Sequence, residues 1–158
     1  MYQVRKVPKL VKVISSMVLA VMFISSVTMF AGASYQDELV ELATAKTRNS
    51  AAVRTRMREK EDYTSSYAYN MKSTVGFSGV VVLGSNQYTG QSVLSYHWDD
   101  RAPYTFDCTY GAKKSLPKGA AYYFPNMVKE RGYKYAGLEL QYNYGNPYIY
   151  VWWSPDSI

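Results

Sequence analysis

The chain ends on YIYVWWSPDSI, residues 148–158, and the parity of this stretch governs how the rest is read. Successive side chains of an extended strand point to opposite sides, so Tyr148, Tyr150 and Trp152 share one face and Ile149, Val151 and Trp153 the other. The second set reads as a core face. The first carries polar tips on aromatic bodies and suits a surface that is half in water. A strand of this kind belongs in a two-layered β fold. Ser154 and Pro155 end it, because proline offers no N–H to a ladder.

Working backwards, GYKYAGLELQYNY (residues 132–144) places Tyr133 and Tyr135 on odd positions and Leu138, Leu140, Tyr142 and Tyr144 on even ones. The parity changes at Ala136 and Gly137, which predicts a β-bulge there. Gly145, Asn146 and Pro147 then turn the chain, so the last two strands are expected to lie side by side. That arrangement would line up Tyr142, Tyr144, Tyr148, Tyr150 and Trp152 as a candidate ligand-binding patch. Such a ladder can stack on sugar rings, sit at a membrane interface, dock a protein, or simply stiffen the sheet.

The same composition extends upstream to residue 63. Tyrosine, valine, glycine and asparagine dominate, and all three tryptophans of the chain fall here. Strands are predicted over 63–73, 79–83, 93–99, 104–110 and 120–124, with one helical turn over 125–132, opened by Pro125 and closed by Gly132. Residues 63–158 therefore read as an all-β domain, a small antiparallel β-sandwich. Residues 35–62 differ: they are charged, contain neither Gly nor Pro, and place Leu39, Leu42 and Ala43 at helical spacing. They are expected to form a charged spacer or a short helix. The basic residues between Arg54 and Lys60, interrupted by Glu59, are expected on a solvated face rather than on an anionic envelope polymer.

One hairpin has a readable register. If VLSYHWD and YTFDCTY pair antiparallel, Leu94 meets Tyr110, Tyr96 meets Cys108 and Trp98 meets Phe106, while His97 meets Asp107 on the opposite face. Cys108 and His97, the single cysteine and single histidine, then point to opposite sides of the sheet, and no thiolate–imidazole pair forms. Cys108 is expected in the core. One His and one Cys also fall short of a structural zinc site. Asp99, Asp100 and Asp107 lack calcium-loop spacing and have Arg101 among them as a counterion. The expectation is no catalytic residue, no metal and no cofactor.

The first 33 residues set the compartment. Arg5, Lys6, Lys9 and Lys12 precede an uncharged run over 13–30, and Ala31-Gly32-Ala33 supplies small residues for a cut after Ala33. Residues 1–33 thus read as a secretory signal peptide. Membrane contact is expected only if this segment stays uncleaved. The formal charge of +6 loses its weight, because the remaining chain has 14 basic against 12 acidic residues, a net +2. That excludes a polyanion footprint, and with it nucleic acid as a partner. A single cysteine also means the exported chain is held by packing, without an internal disulfide.

A signal peptide, a charged spacer and a cysteine-poor domain of Tyr-, Gly- and Ser-rich strands ending in YVWWSPDS resemble the small exported proteins of Gram-positive bacteria, of the lactococcin-like bacteriocin type. The likeness covers about residues 73–156. It implies a compact β-sandwich at the cell envelope, with antagonism of neighbouring cells through a wall precursor, and it carries over no catalytic residue. The function expected is a secreted, non-enzymatic binding protein of the envelope, bacteriocin-like, whose partner is a wall precursor, a glycan or an envelope protein. The alternatives are a carbohydrate- or wall-binding module using the surface aromatics, and an extracellular hydrolase.

Overall fold

The computed structural model describes residues 36–43, 51–95, 101–143 and 145–157. Residues 1–33, expected to be a signal peptide, and Tyr96, His97, Trp98, Asp99, Asp100 and Tyr144 lie outside the described residues. All the described elements are strands: β1 (Glu38–Ala43), β2 (Ala51–Arg54), β3 (Arg58–Glu59), β4 (Ser66–Asn70), β5 (Phe77–Ser85), β6 (Val93–Ser95), β7 (Phe106–Asp107), β8 (Lys114–Leu116), β9 (Ala121–Phe124), β10 (Tyr135–Tyr142) and β11 (Tyr148–Ser154). They form two antiparallel sheets. One has the order β1-β11-β4-β9; the other runs β6-β2-β10-β5-β7, with β3 beside β10 and β8 beside β5.

The sheets share one core, to which β1, β4 and β11 contribute Val40, Ala68, Ile149, Val151 and Trp153, and β2, β5 and β10 contribute Val53, Val80, Val82, Leu138 and Leu140. This is the expected β-sandwich. The parity of β11 is as the sequence implies: Ile149, Val151 and Trp153 are wholly buried, while Tyr148 is exposed and Tyr150 and Trp152 are half-buried. Cys108 is also in the core. Of the helical turn expected over 125–132, only a hydrogen-bonded turn over 128–132 forms, with the Arg131 N–H donating to Met127 O at 3.0 Å, while Asn126 bridges to Thr109. Gly132 closes it at φ 75°, a value costly for any residue with a Cβ.

Four expectations are corrected. First, the described residues of 35–62, namely 36–43 and 51–62, are neither spacer nor helix, because β1, β2 and β3 belong to the sheets and the domain takes them in. In β1 the deciding alternation is Val40 inward against Leu39 and Glu41 outward; helix-favouring composition yields to pairing with β11 over Glu38↔Trp153 to Ala43↔Tyr148. Second, among the described residues the hairpin of 93–99 with 104–110 does not form. β6 pairs with β2 (Val53↔Leu94) and β7 with β5 (Leu83↔Asp107), so each strand completes a different edge. Third, β10 and β11 are not neighbours: Gly145-Asn146-Pro147 carries the chain from one sheet to the other.

Fourth, the bulge near Gly137 lies on the partner strand. Arg54 pairs with Glu139 and Arg58 with Ala136, so residues 55, 56 and 57 span the stretch opposite Gly137 and Leu138. A Cβ on Gly137 would sit 2.6 Å from Met57 Sδ. Glycine is there to admit the bulged strand.

Candidate functional site

The strand register places a row of aromatic residues on the outer face of the four-stranded sheet. Trp152 is opposite Tyr69 on β4, Tyr67 is opposite Tyr123 on β9, and Tyr150 and Tyr148 continue the row along β11. Tyr67 and Tyr123 stand 5.4 Å apart, ring centre to ring centre, and Tyr148 and Tyr150 stack at 6.3 Å. β11 and β4 are paired on both sides and β9 on one, so most of the rings stand on a fixed backbone. Burial raises the Tyr67 phenol above its ordinary value, as expected of a ring packed among rings.

Polar groups mark the margin. Glu41 of β1 is opposite Tyr150 and accepts a hydrogen bond from the Tyr148 hydroxyl; that bond raises the Tyr148 pKa, because it holds the protonated phenol. Lys72 places its ammonium 5.6 Å above the Tyr150 ring. The face is thus apolar in its middle, with Glu41 and Lys72 at its side and the charge of Asp37 near Tyr67.

Of the five residues predicted to form the patch, Tyr148, Tyr150 and Trp152 share this face. Tyr142 does not join them, since it lies on β10 in the other sheet, buried in the core with 1% exposure. Tyr144 falls outside the described residues. Sequence reading missed Tyr67, Tyr69 and Tyr123. Tyr67 and Tyr69 were legible as alternating residues of a strand, but their pairing with β11 is a long-range fact that no local pattern carries.

The outer face of the seven-stranded sheet is covered. Met57, Val81 and Leu83 form a second, smaller buried cluster with Tyr135 against it. Beside it Glu139, fully buried, accepts hydrogen bonds from Arg54 Nε at 2.8 Å, Arg101 Nη2 at 2.9 Å, Arg101 Nε at 3.0 Å and Gln141 Nε2 at 2.8 Å. Burial alone would raise the Glu139 pKa, but the bonds from Arg101, Arg54 and Gln141 outweigh it and hold the group below its ordinary value. A carboxylate so held stays ionised with its lone pairs engaged, a poor general acid or base. A cavity of about 580 Å³ opens alongside, lined in part by Arg54, Met57, Leu83, Gln91 and Tyr104.

Other candidates resolve into structure. The basic residues from Arg54 to Lys60 are not a solvated face: Arg56 Nε meets Glu38 at 2.6 Å, Arg58 lies 3.6 Å from the same carboxylate, and Lys60 is buried against Asp156. Asp107 accepts the Thr109 N–H at 2.9 Å. Burial raises the Cys108 thiol pKa and keeps it protonated; a Cβ at Gly84 would lie 2.6 Å from its sulfur, so the site is closely packed.

Fold and surface together define an antiparallel β-sandwich with one aromatic outer face and one covered outer face. The chain belongs to the family described as protein of unknown function (DUF2712), whose sequence profile matches residues 27–157. No curated protein and no solved structure matches it.

Proposed function

We propose that the chain is an exported, non-enzymatic binding protein of the cell envelope, and that the outer face of the four-stranded sheet stacks on the sugar rings of a wall glycan. The observation that carries this reading is the row Trp152, Tyr69, Tyr67, Tyr123, Tyr150 and Tyr148 on three paired strands, β11, β4 and β9. Aromatic rings bury much area for few rotatable bonds, and rings fixed on a sheet lose little more on binding. The basic start and uncharged run of residues 1–30 support export. The engaged state of Glu139 and the buried thiol of Cys108 favour binding over chemistry. Grip on a wall precursor by this face would also supply the bacteriocin-like antagonism that the sequence resemblance implies.

Purified protein should co-sediment with isolated peptidoglycan. The double substitution Tyr150→Ala/Trp152→Ala should weaken binding tenfold or more, about 1.4 kcal/mol. Tyr104→Ala, on the cavity of the other sheet, should leave it unchanged. Equal binding by the double variant, or none by the native protein, would overturn the reading. Growth of related Gram-positive cells exposed to the protein tests the antagonism separately.

A further inference from the structure

Lys60 follows β3 and Asp156 follows β11, 96 residues apart, and their side chains meet with no exposure on either. Lys60 Nζ lies 2.7 Å from Asp156 Oδ1 and 3.3 Å from Asp62 Oδ1, and donates to Thr64 O at 2.7 Å. The Asp156 carboxyl also accepts backbone N–H groups on both oxygens, from Glu61 at 3.2 Å and from Asp62 at 3.4 Å. Asp62 is fixed in turn by the Thr64 N–H at 2.8 Å and the Thr64 hydroxyl at 2.6 Å. Thr64 receives the Ser157 N–H at 2.9 Å, and Ser66 donates to Pro155 O at 3.0 Å. The tail is therefore clamped on both sides of Asp156.

A buried ion pair gains little over an apolar replacement, because stripping water from both ions costs several kcal/mol each. This one has features an ion pair does not require. An amine is held against a carboxyl, that carboxyl faces two N–H donors, and a second carboxyl touches the same amine. These are a nucleophile, an electrophile and an oxyanion site held where water is excluded, with a proton carrier at the solvent edge. We propose that Lys60 and Asp156 condense into an intramolecular isopeptide bond, with Asp62 moving the proton.

The protonation states suit the step. Burial raises the Asp156 pKa, and the hydrogen bond to Asp62 adds to it, against the pull of Lys60. Burial would raise Asp62 too, but its bonds to Thr64 and Asp156 prevail and set it at about 2. Of the two carboxyls, Asp156 is thus the one that takes up a proton more readily and Asp62 the one that stays ionised. Asp62 takes a proton from the Lys60 ammonium, and the freed lone pair attacks Cγ of Asp156. The oxyanion forms on Oδ2 against the Glu61 N–H, and Oδ1, on the side of Lys60 and Asp62, becomes the departing hydroxyl. Asp62 then returns its proton to the departing hydroxyl, which leaves as water, while the new amide nitrogen releases a proton to Asp62. Ammonium, carboxylic acid and carboxylate become amide, water and a protonated Asp62, whose side chain is 30% exposed and can pass the proton to solvent. No oxidant is needed. The product ties the last strand, which carries the aromatic row, to the edge of the opposite sheet in a chain that has no second cysteine for a disulfide.

The test is mass spectrometry of the purified full chain under denaturing conditions. The native protein should be lighter by one water than its sequence requires, and digestion should yield a branched peptide joining Lys60 to Asp156. Asp156→Asn should give the same branched peptide with loss of one ammonia instead. Lys60→Met should show the full mass, and Asp62→Asn should show little or no cross-link. Recovery of the native Lys60 and Asp156 peptides unlinked and unmodified, at full mass, would overturn the proposal without reliance on any variant.

Discussion

The outer faces of the two sheets are made from similar strands and end in opposite ways. On the four-stranded sheet, Tyr67, Tyr69, Tyr148, Tyr150 and Trp152 stand partly in water. On the seven-stranded sheet, Met57, Val81 and Leu83 are buried, and Glu139 is closed in by Arg54 and Arg101. The difference begins in the strands. β5 reads FSGVVVLGS and is apolar toward both sides, so its outer face has to be covered. β11 alternates, and its outer face needs no cover. An uncovered aromatic face adds little to folding, and this is the ground on which contact with a partner is proposed for it.

The comparison is most exposed at Glu139. Replacing it with alanine leaves Arg54 and Arg101 without the carboxylate between them, and removing one partner of a buried charge cluster costs about 3–5 kcal/mol. Urea unfolding should show that loss, and Glu139→Gln, which keeps shape and some hydrogen bonds, should lose less. The sign with pH follows from a folded pKa held below 4.5. The cluster's stabilisation is present above the unfolded value and is lost as pH falls through the folded one. Native protein should therefore weaken below about pH 4.5 more steeply than Glu139→Gln. Parallel acid limbs would mean that Glu139 does not hold the cover in place.

Next in size is a paired truncation. Leu83→Ala, under the cover, removes a side chain with 1% exposure and should cost about 3 kcal/mol. Trp152→Ala, on the bare face, removes a larger side chain and should cost distinctly less, because much of its surface already meets water in the folded state. Equal losses would erase the distinction between the two faces.

The distinction was partly written in the sequence. Period two along residues 148–153 gave the correct core face, and the continuous run GVVVL was correctly seen as a strand. What escaped was pairing. The shared face of β11 depends on β1 and β4, which come from far away in the chain, and β1 is disguised by a helix-favouring composition. Tyr142 keeps the expected parity on its own strand, yet it lies on the other sheet, because the turn at Gly145 crosses between layers instead of folding back. Lys60 and Asp156 looked like ordinary charges; nothing local signals that two residues so distant will be buried together.

The smallest effect falls on Tyr148. Its hydroxyl donates to the Glu41 carboxylate, which favours the neutral phenol, so its ionisation should lie above the ordinary tyrosine range. It is one of 17 tyrosines, so the signal is the difference between the alkaline absorbance titrations of native protein and Tyr148→Phe. Glu41→Gln should return that component to the ordinary range by removing the charge that restrains it. Neither substitution should move the unfolding midpoint appreciably, since both groups are exposed and water replaces what is lost. A midpoint that falls as far as with Leu83→Ala would mean that the aromatic face supports the fold, and the case for reading it as a contact surface would fail with it.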